Sequence, residues 1–368
     1  MKKIDYAFIV HSRDRKDLPI KYPILNFIPN FILDFITMHL PPISVSHITG
    51  LVDADGRTKT GLIIGIPMTA RQLLEHRDRA LNRIVSSVKI AKKMGAVHVG
   101  LGAMTASLSK GGLDIVDNID DIYVTTGRMN TIRNITEYLE LFVGKFKLDR
   151  SKIKIAVVGA AGGIGSGVAI SLARKQYRNF ILIDLERKLP SLVRRIKVIE
   201  EHSKELNIQL SHKISEVSSC SVIIAATSSP EIVIRSDDVE SGTIIINDAQ
   251  PSDISPDIVK NRSDVLVVEG GVVHTPDINC HFNLGLAHKT DIFSCLAETL
   301  FLSYLNDRQH RLSDSFDVVF FDRLQQISSK LGYSICTQNN LGIIDENELQ
   351  KFAKIIVNRN KSELTQWM

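Results

Sequence analysis

Apolar residues fall along this chain in short blocks that alternate between two periods. The blocks "DYAFIV", "LIIGIPM", "AVHVGLG" and "IYVTTG" predict strands. Among them the stretch 70–94 carries Leu73, Leu74, Leu81, Ile84, Val85 and Val88 at helical spacing, with Gly95 as its stop and a basic opposite face. A second helix is expected over 129–143, and the charged stretch "GKFKLDRSKIK" after it reads as a link to a new unit. Beyond it the blocks become regular. "IKIAVVG", "NFILIDL", "SVIIAAT", "TIIINDAQ" and "VLVVEGG" predict strands bounded by Ser, Asp, Pro or Gly, the pattern of a doubly wound parallel sheet. Helices are expected near 291–305, 314–331 and 345–358. The fold class is therefore α/β: an N-terminal α/β domain (1–146), a doubly wound parallel-sheet domain (147–275) and a C-terminal helical region (276–368).

One apolar segment, "ILNFIPNFILDFITMHL", contains Pro29 and Asp34 and stops at Pro41-Pro42, too short and interrupted to span a bilayer. Phe27, Phe31, Phe35 and Met38 recur at helical spacing, which predicts a face packed on the core. An interfacial helix or a wall for a fatty ligand is the alternative, and it leaves room for peripheral membrane contact. The N-terminal "MKKIDYAFIVHSRD" has the lysines of a signal segment, but Asp5 and Arg13 interrupt the apolar run, so a first strand is expected.

At 368 residues the chain exceeds the size at which a single core keeps growing, and 44% hydrophobic with 23% charged residues excludes disorder and a membrane-embedded protein. The net charge of +4 is too small to imply a nucleic-acid partner. Cys220, Cys280, Cys295 and Cys336 show no metal-ligand or disulfide-scaffold spacing, so free thiols in a reducing, cytoplasmic compartment are expected, with no metal.

"VVGAAGGIGSG" places Gly159, Gly162 and Gly165 directly after an apolar strand and at the opening of a helix. Glycines there permit the tight turn, the approach of backbone N–H groups to a pyrophosphate and the packing of helix on strand. Gly159, Ala160, Gly162, Gly163, Ile164 and Gly165 are the expected cofactor loop. Asp184, ending the next strand, suits an adenosine ribose and repels a 2′-phosphate, which favours NADH over NADPH, while Arg187 and Lys188 keep NADPH open. Thr227, Ser228 and Gly270 end later strands at the same sheet edge and complete the expected cofactor site; Asp248 lies there too.

A substrate domain first, a Rossmann domain second and returning helices last is the layout of shikimate-dehydrogenase-like folds. More narrowly, "GLGAMTAS", "VTTGRMNT" and "DIFSCLAETLFLSYL", with "VVGAAGGIGS" and "VVEGGVVHTPDI", resemble in order the long-chain fatty acyl-carrier-protein reductases of cyanobacterial type. That resemblance implies NAD(P)H-dependent reduction of an acyl thioester, carried on acyl-carrier protein or coenzyme A, to an aldehyde, with Cys295 as the nucleophile that takes the acyl group. Thr290 or Asp291 can cap the helix that follows, so the macrodipole would favour a Cys295 thiolate, with His288 and Lys289 just upstream. The basic face of 70–94 would then meet an acidic carrier. Two other readings stand beside it: a dehydrogenase of a small hydroxy acid or ketone, which needs no covalent intermediate, and a non-catalytic dinucleotide sensor.

Overall fold

The computed structural model describes residues 3–12, 23–229, 231–249, 252–312, 315–339 and 341–365. The chain forms two compact units, 1–130 with 274–314 and 326–333, and 131–273 with 315–325 and 334–368.

The first unit is built on five strands: β1 (Tyr6–Ser12), β2 (Ile43–Val52), β3 (Thr58–Thr69), β4 (His98–Leu101) and β5 (Tyr123–Thr125). Their order is β2-β3-β1-β4-β5, parallel throughout except that β2 runs antiparallel to β3. Alternation along central β1 serves two cores. Ala7 and Ile9 join Leu62, Ile64 and the buried stripe Ala80, Ile84, Val88 and Ala91 of the helix Arg77–Lys93. Phe8 points to the other face beside Gly100, where a Cβ would lie 1.9 Å from the hydroxyl of Thr299 on the helix Ser294–Leu305. That helix is buried continuously from Leu296 to Tyr304, its polar residues Glu298, Thr299 and Ser303 included.

The helix expected over 70–94 is two helices, Ala70–Glu75 and Arg77–Lys93, separated at His76 (φ −126°, ψ 57°). Thr69 starts the first with a capping box in which Gln72 Oε1 accepts the Thr69 N–H at 3.0 Å. The phenylalanine face expected in the core is outside it: Phe27, Phe31 and Phe35 are 88%, 73% and 61% exposed, and the helix Asn30–His39 instead buries Leu33 and Thr37. The Thr37 hydroxyl donates to Gln72 Oε1, so a polar contact in the seam selects which face turns inward. No helix of the described residues is long and apolar enough to cross a membrane.

The second unit carries β6 (Lys154–Val158), β7 (Asn179–Ile183), β8 (Asn207–Ser211), β9 (Val222–Ala225), β10 (Ile244–Asn247) and β11 (Leu266–Glu269), all parallel, in the order β11-β10-β9-β6-β7-β8. This is the Rossmann order, with its reversal between β6 and β9, where the carboxyl ends of the strands open a crevice for a ligand. Alternate residues Ala156, Val158, Ile181, Ile183, Ile223, Ala225, Ile245 and Val267 fill one core. The protein is thus of the α/β class, a Rossmann sheet accompanied by a second α/β sheet and C-terminal helices.

Candidate functional site

In the second unit β6 ends at the switch point, and the chain turns there through Gly159 at φ +86°. A Cβ on Gly159 would lie 2.5 Å from the carbonyl oxygen of Ala226, past the end of β9, so a side chain is excluded by both conformation and space. The Gly159 and Ala160 N–H groups donate to the Ile183 carbonyl at 2.9 and 3.1 Å, tying the loop to β7. Gly162 precedes the helix Gly163–Arg174 in extended conformation. Gly163, Ile164 and Gly165 thus form its first turn, whose N–H groups have no acceptor within a helix. Gly165 packs so closely on the loop that a Cβ would be 2.6 Å from the Gly159 carbonyl oxygen. A bare-backbone loop at a helix N-terminus, with the helix dipole behind it, fits a pyrophosphate.

Asp184, immediately after β7, is buried and holds this loop as well as the expected ribose position. Its Oδ2 accepts the Ala161 N–H at 2.9 Å and its Oδ1 the Leu185 N–H at 2.8 Å, with Lys188 Nζ 3.5 Å from Oδ1. Arg187 is exposed.

The nicotinamide half of the crevice lies over β9, β10 and β11. Thr227 is engaged there: its hydroxyl donates to Asp253 Oδ2 at 2.8 Å and accepts the Ser229 N–H at 3.1 Å, while Ser228 is exposed. Asn247 and Glu269 are register partners at the ends of β10 and β11, and the Asn247 amide lies 3.3 Å from both Glu269 oxygens. Burial pushes the Glu269 carboxyl up to about 7, against the lowering effect of that amide. Burial, with Glu269 and Asp253 nearby, holds Asp248 well above the carboxylate range; burial also raises Asp253, which the Thr227 hydroxyl partly offsets. Gly270 serves packing, since a Cβ would lie 2.6 Å from Ile246 Cγ2. Sequence reasoning passed over Asp253 and Glu269. The signal for Glu269 was its place at a strand end before "GG", whereas nothing local marks Asp253.

In the first unit the three stretches that carried the family resemblance meet one another. Gly100 packs on Thr299; the Thr125 hydroxyl donates to Glu298 Oε1; and the Asn130 N–H donates to Glu298 Oε2 at 2.7 Å. The Asn130 amide donates to the Ser294 carbonyl at 2.9 Å. Gly127, at φ +70°, lies against the Cys295 backbone, where a Cβ would come within 2.3 Å of Cys295 Cα. Burial raises the Glu298 carboxyl, countered by Thr125 and the Asn130 N–H. Cys295 is half-buried at the second residue of the helix Ser294–Leu305. Its cap position is Phe293, with no side-chain cap, because Asp291–Phe293 is a strand; neither Thr290 nor Asp291 caps it. Asp291 instead accepts from the His274 ring at 2.8 Å and from the His288 N–H at 3.1 Å.

Residues 141–269 match the family model described as shikimate / quinate 5-dehydrogenase. Among curated proteins the chain is 26% identical over 272 residues to the aminotransferase PigE of Serratia sp. (strain ATCC 39006), covering 71% of this chain. The chain spans 30% of that relative's length. Among solved structures it is similar to shikimate 5-dehydrogenase from Listeria monocytogenes in complex with shikimate and NAD (10% identity, TM-score 0.36, 88% of this chain and 96% of that one). It is also similar to quinate dehydrogenase from Corynebacterium glutamicum in complex with NAD (12% identity, TM-score 0.34, 67% of this chain and 79% of that one). The family match and the loop geometry agree on an NAD(P)-binding Rossmann unit of the oxidoreductase kind.

The same match corrects the resemblance to acyl-carrier-protein reductases. The Rossmann segment matches the shikimate / quinate 5-dehydrogenase model and not an acyl-carrier-protein reductase one, and with that fall thioester reduction, the fatty aldehyde product and the acyl-carrier protein or coenzyme A partner. The physical reason is visible in the first unit. The motif residues Gly100, Thr125, Gly127, Asn130, Glu298 and Thr299 pack and bond with one another around the helix Ser294–Leu305, so their spacing records a packing arrangement.

Proposed function

We propose that this protein is an NAD(P)-dependent dehydrogenase that interconverts a small hydroxy acid and the corresponding ketone, without a covalent intermediate. The observation that carries this reading is one sheet edge. A glycine loop that admits no side chain at Gly159 stands at the switch point, and a poised carboxyl, Glu269, ends β11 on the nicotinamide half. The family whose model matches is named for two small hydroxy acids, which supports the substrate class.

In this reading the backbone from Gly159 to Gly165 holds the pyrophosphate, Asp184 accepts from the adenosine ribose, and Ser228, exposed beside Thr227, is offered to the nicotinamide ribose. The bound dinucleotide supplies or accepts the hydride. Carbonyl reduction also needs a proton, and Glu269, protonated up to about 7, can deliver one and take it back in the reverse direction. Asn247 orients that carboxyl from the neighbouring strand. Cys295, in the first unit, forms part of the start of a packed helix, and no bond to substrate is assigned to it.

The test is a dinucleotide-linked assay over a panel of small hydroxy acids, including shikimate and quinate, and the matching ketones. Saturable turnover with at least one member supports the proposal. Tight NADH binding with no turnover across the panel in either direction would leave a sensor as the better reading.

A further inference from the structure

The exposed phenylalanine ridge of the first unit has a chemistry of its own. Ile24, Phe27, Phe31 and Phe35 are 75%, 88%, 73% and 61% exposed, and Phe31 and Phe35 stand one helical turn apart on Asn30–His39. With side chains of this size the patch is on the order of 500 Å², at the top of what a soluble monomer leaves in contact with water. The ridge continues into a basic end. Phe35 stacks on His39 at 4.3 Å between ring centroids, His39 Nε2 lies 3.2 Å from Arg79 Nη1, and Arg83 Nη2 donates to the His39 carbonyl at 2.8 Å. Arg71 and Arg77 are exposed on the adjoining helices; Glu75 is paired with Arg71, and Asp78 is the other acid of this stretch.

We propose that this ridge docks the protein on an anionic lipid surface, with the phenylalanines entering the acyl boundary and Arg79, Arg71 and Arg77 meeting the headgroups. The helix itself carries one acid, Asp34, and its cations come from the neighbouring helices, where Arg71, Arg77, Arg79 and Arg83 outnumber Glu75 and Asp78; an aromatic face beside such a cationic surplus suits the interfacial plane. A second copy of the chain fits less well. The patch falls short of the roughly 800 Å² per partner that a stable complex buries, and a two-fold pairing of ridges would bring Arg79 of one copy toward the arginines of the other. The inference does not depend on the reaction assigned above, because none of these residues belongs to the dinucleotide loop or the strand-end acids.

Co-sedimentation of the full chain with vesicles tests it, using phosphatidylcholine alone and phosphatidylcholine mixed with phosphatidylserine. Binding is expected to the mixed vesicles, at least tenfold weaker to the neutral ones and weaker again in high salt. Phe31→Ser with Phe35→Ser should abolish it, and Arg71→Glu with Arg79→Glu should weaken it severalfold, while dinucleotide binding is retained as the control for folding. Equal binding to neutral and anionic vesicles would overturn the charge argument, and no binding to either would overturn the proposal. A concentration-dependent dimer in sedimentation velocity that the phenylalanine substitutions dissolve, without vesicle binding, would assign the face to self-association instead.

Discussion

On the proposed reading, dinucleotide binding depends most sharply on Gly159. An alanine there would meet the Ala226 carbonyl at 2.5 Å in a conformation that L side chains rarely adopt, so Gly159→Ala should abolish NADH binding in a fluorescence titration. Asp184 holds the Ala161 N–H, and on the proposed reading it also accepts from the adenosine ribose and sets a preference for NADH. Asp184→Ser, which keeps a hydroxyl acceptor for the loop, should cost NADH about tenfold in affinity and narrow or reverse its lead over NADPH. Tighter NADPH binding in the unmodified protein would mean that Lys188, 3.5 Å from the carboxylate, sets the specificity. In the proposed reaction Glu269 sets the pH response. Reduction should slow as the pH rises through about 7, where the proton donor is lost, and oxidation should quicken over the same interval. Glu269→Gln should remove that limb and lower turnover on the order of a hundredfold with little change in NADH affinity.

At the scale of elements, the helix Ser294–Leu305 is the spine of the first unit, and Gly127 abuts its backbone at Cys295. Gly127→Ala should lower the melting temperature, by a cost of about 1–3 kcal/mol from overpacking against Cys295. Gly144 makes the contrast: it sits in the helix Arg128–Phe146 with open space around a Cβ, and Gly144→Ala should stabilise by about 0.5–1 kcal/mol. Legibility followed burial. The β strands buried on both faces, such as Lys154–Val158 and Ile244–Asn247, announce themselves as apolar runs, and the glycine loop followed from its position after one of them. Asn207–Ser211 and Ile43–Val52 escaped because they are edge strands with exposed or half-exposed positions, so neither carries a continuous apolar run. The break at His76 was hidden because both flanking helices are individually good formers. The phenylalanine face was misread because spacing shows which residues share a side of a helix but not whether that side meets the core. The stretch around Cys295 was read as chemistry through its resemblance, whereas its neighbour Glu298 accepts from Thr125 and from the Asn130 N–H as part of a packed seam.

For the whole molecule, the buried acids link protonation to stability. Asp248, Asp253 and Glu269 all have carboxyls raised above their ordinary values in the folded chain, so the fold holds protons that the unfolded chain releases. Their contribution is complete below the ordinary carboxylate range and is lost as the pH rises through the folded values, about 7 for Glu269. The melting temperature should therefore fall between pH 5 and 8, and Glu269→Gln should flatten that fall when followed by calorimetry. On the proposed reading the Rossmann edge exchanges hydride with a small hydroxy acid or ketone and needs no acyl-enzyme. The most direct measurement is NADH consumption by the purified chain with the panel of small ketones, run beside Glu269→Gln and a Cys295→Ala variant. The expected result is turnover that Glu269→Gln suppresses and Cys295→Ala leaves largely intact; turnover that vanishes with Cys295→Ala and is indifferent to Glu269 would refute the proposed reaction.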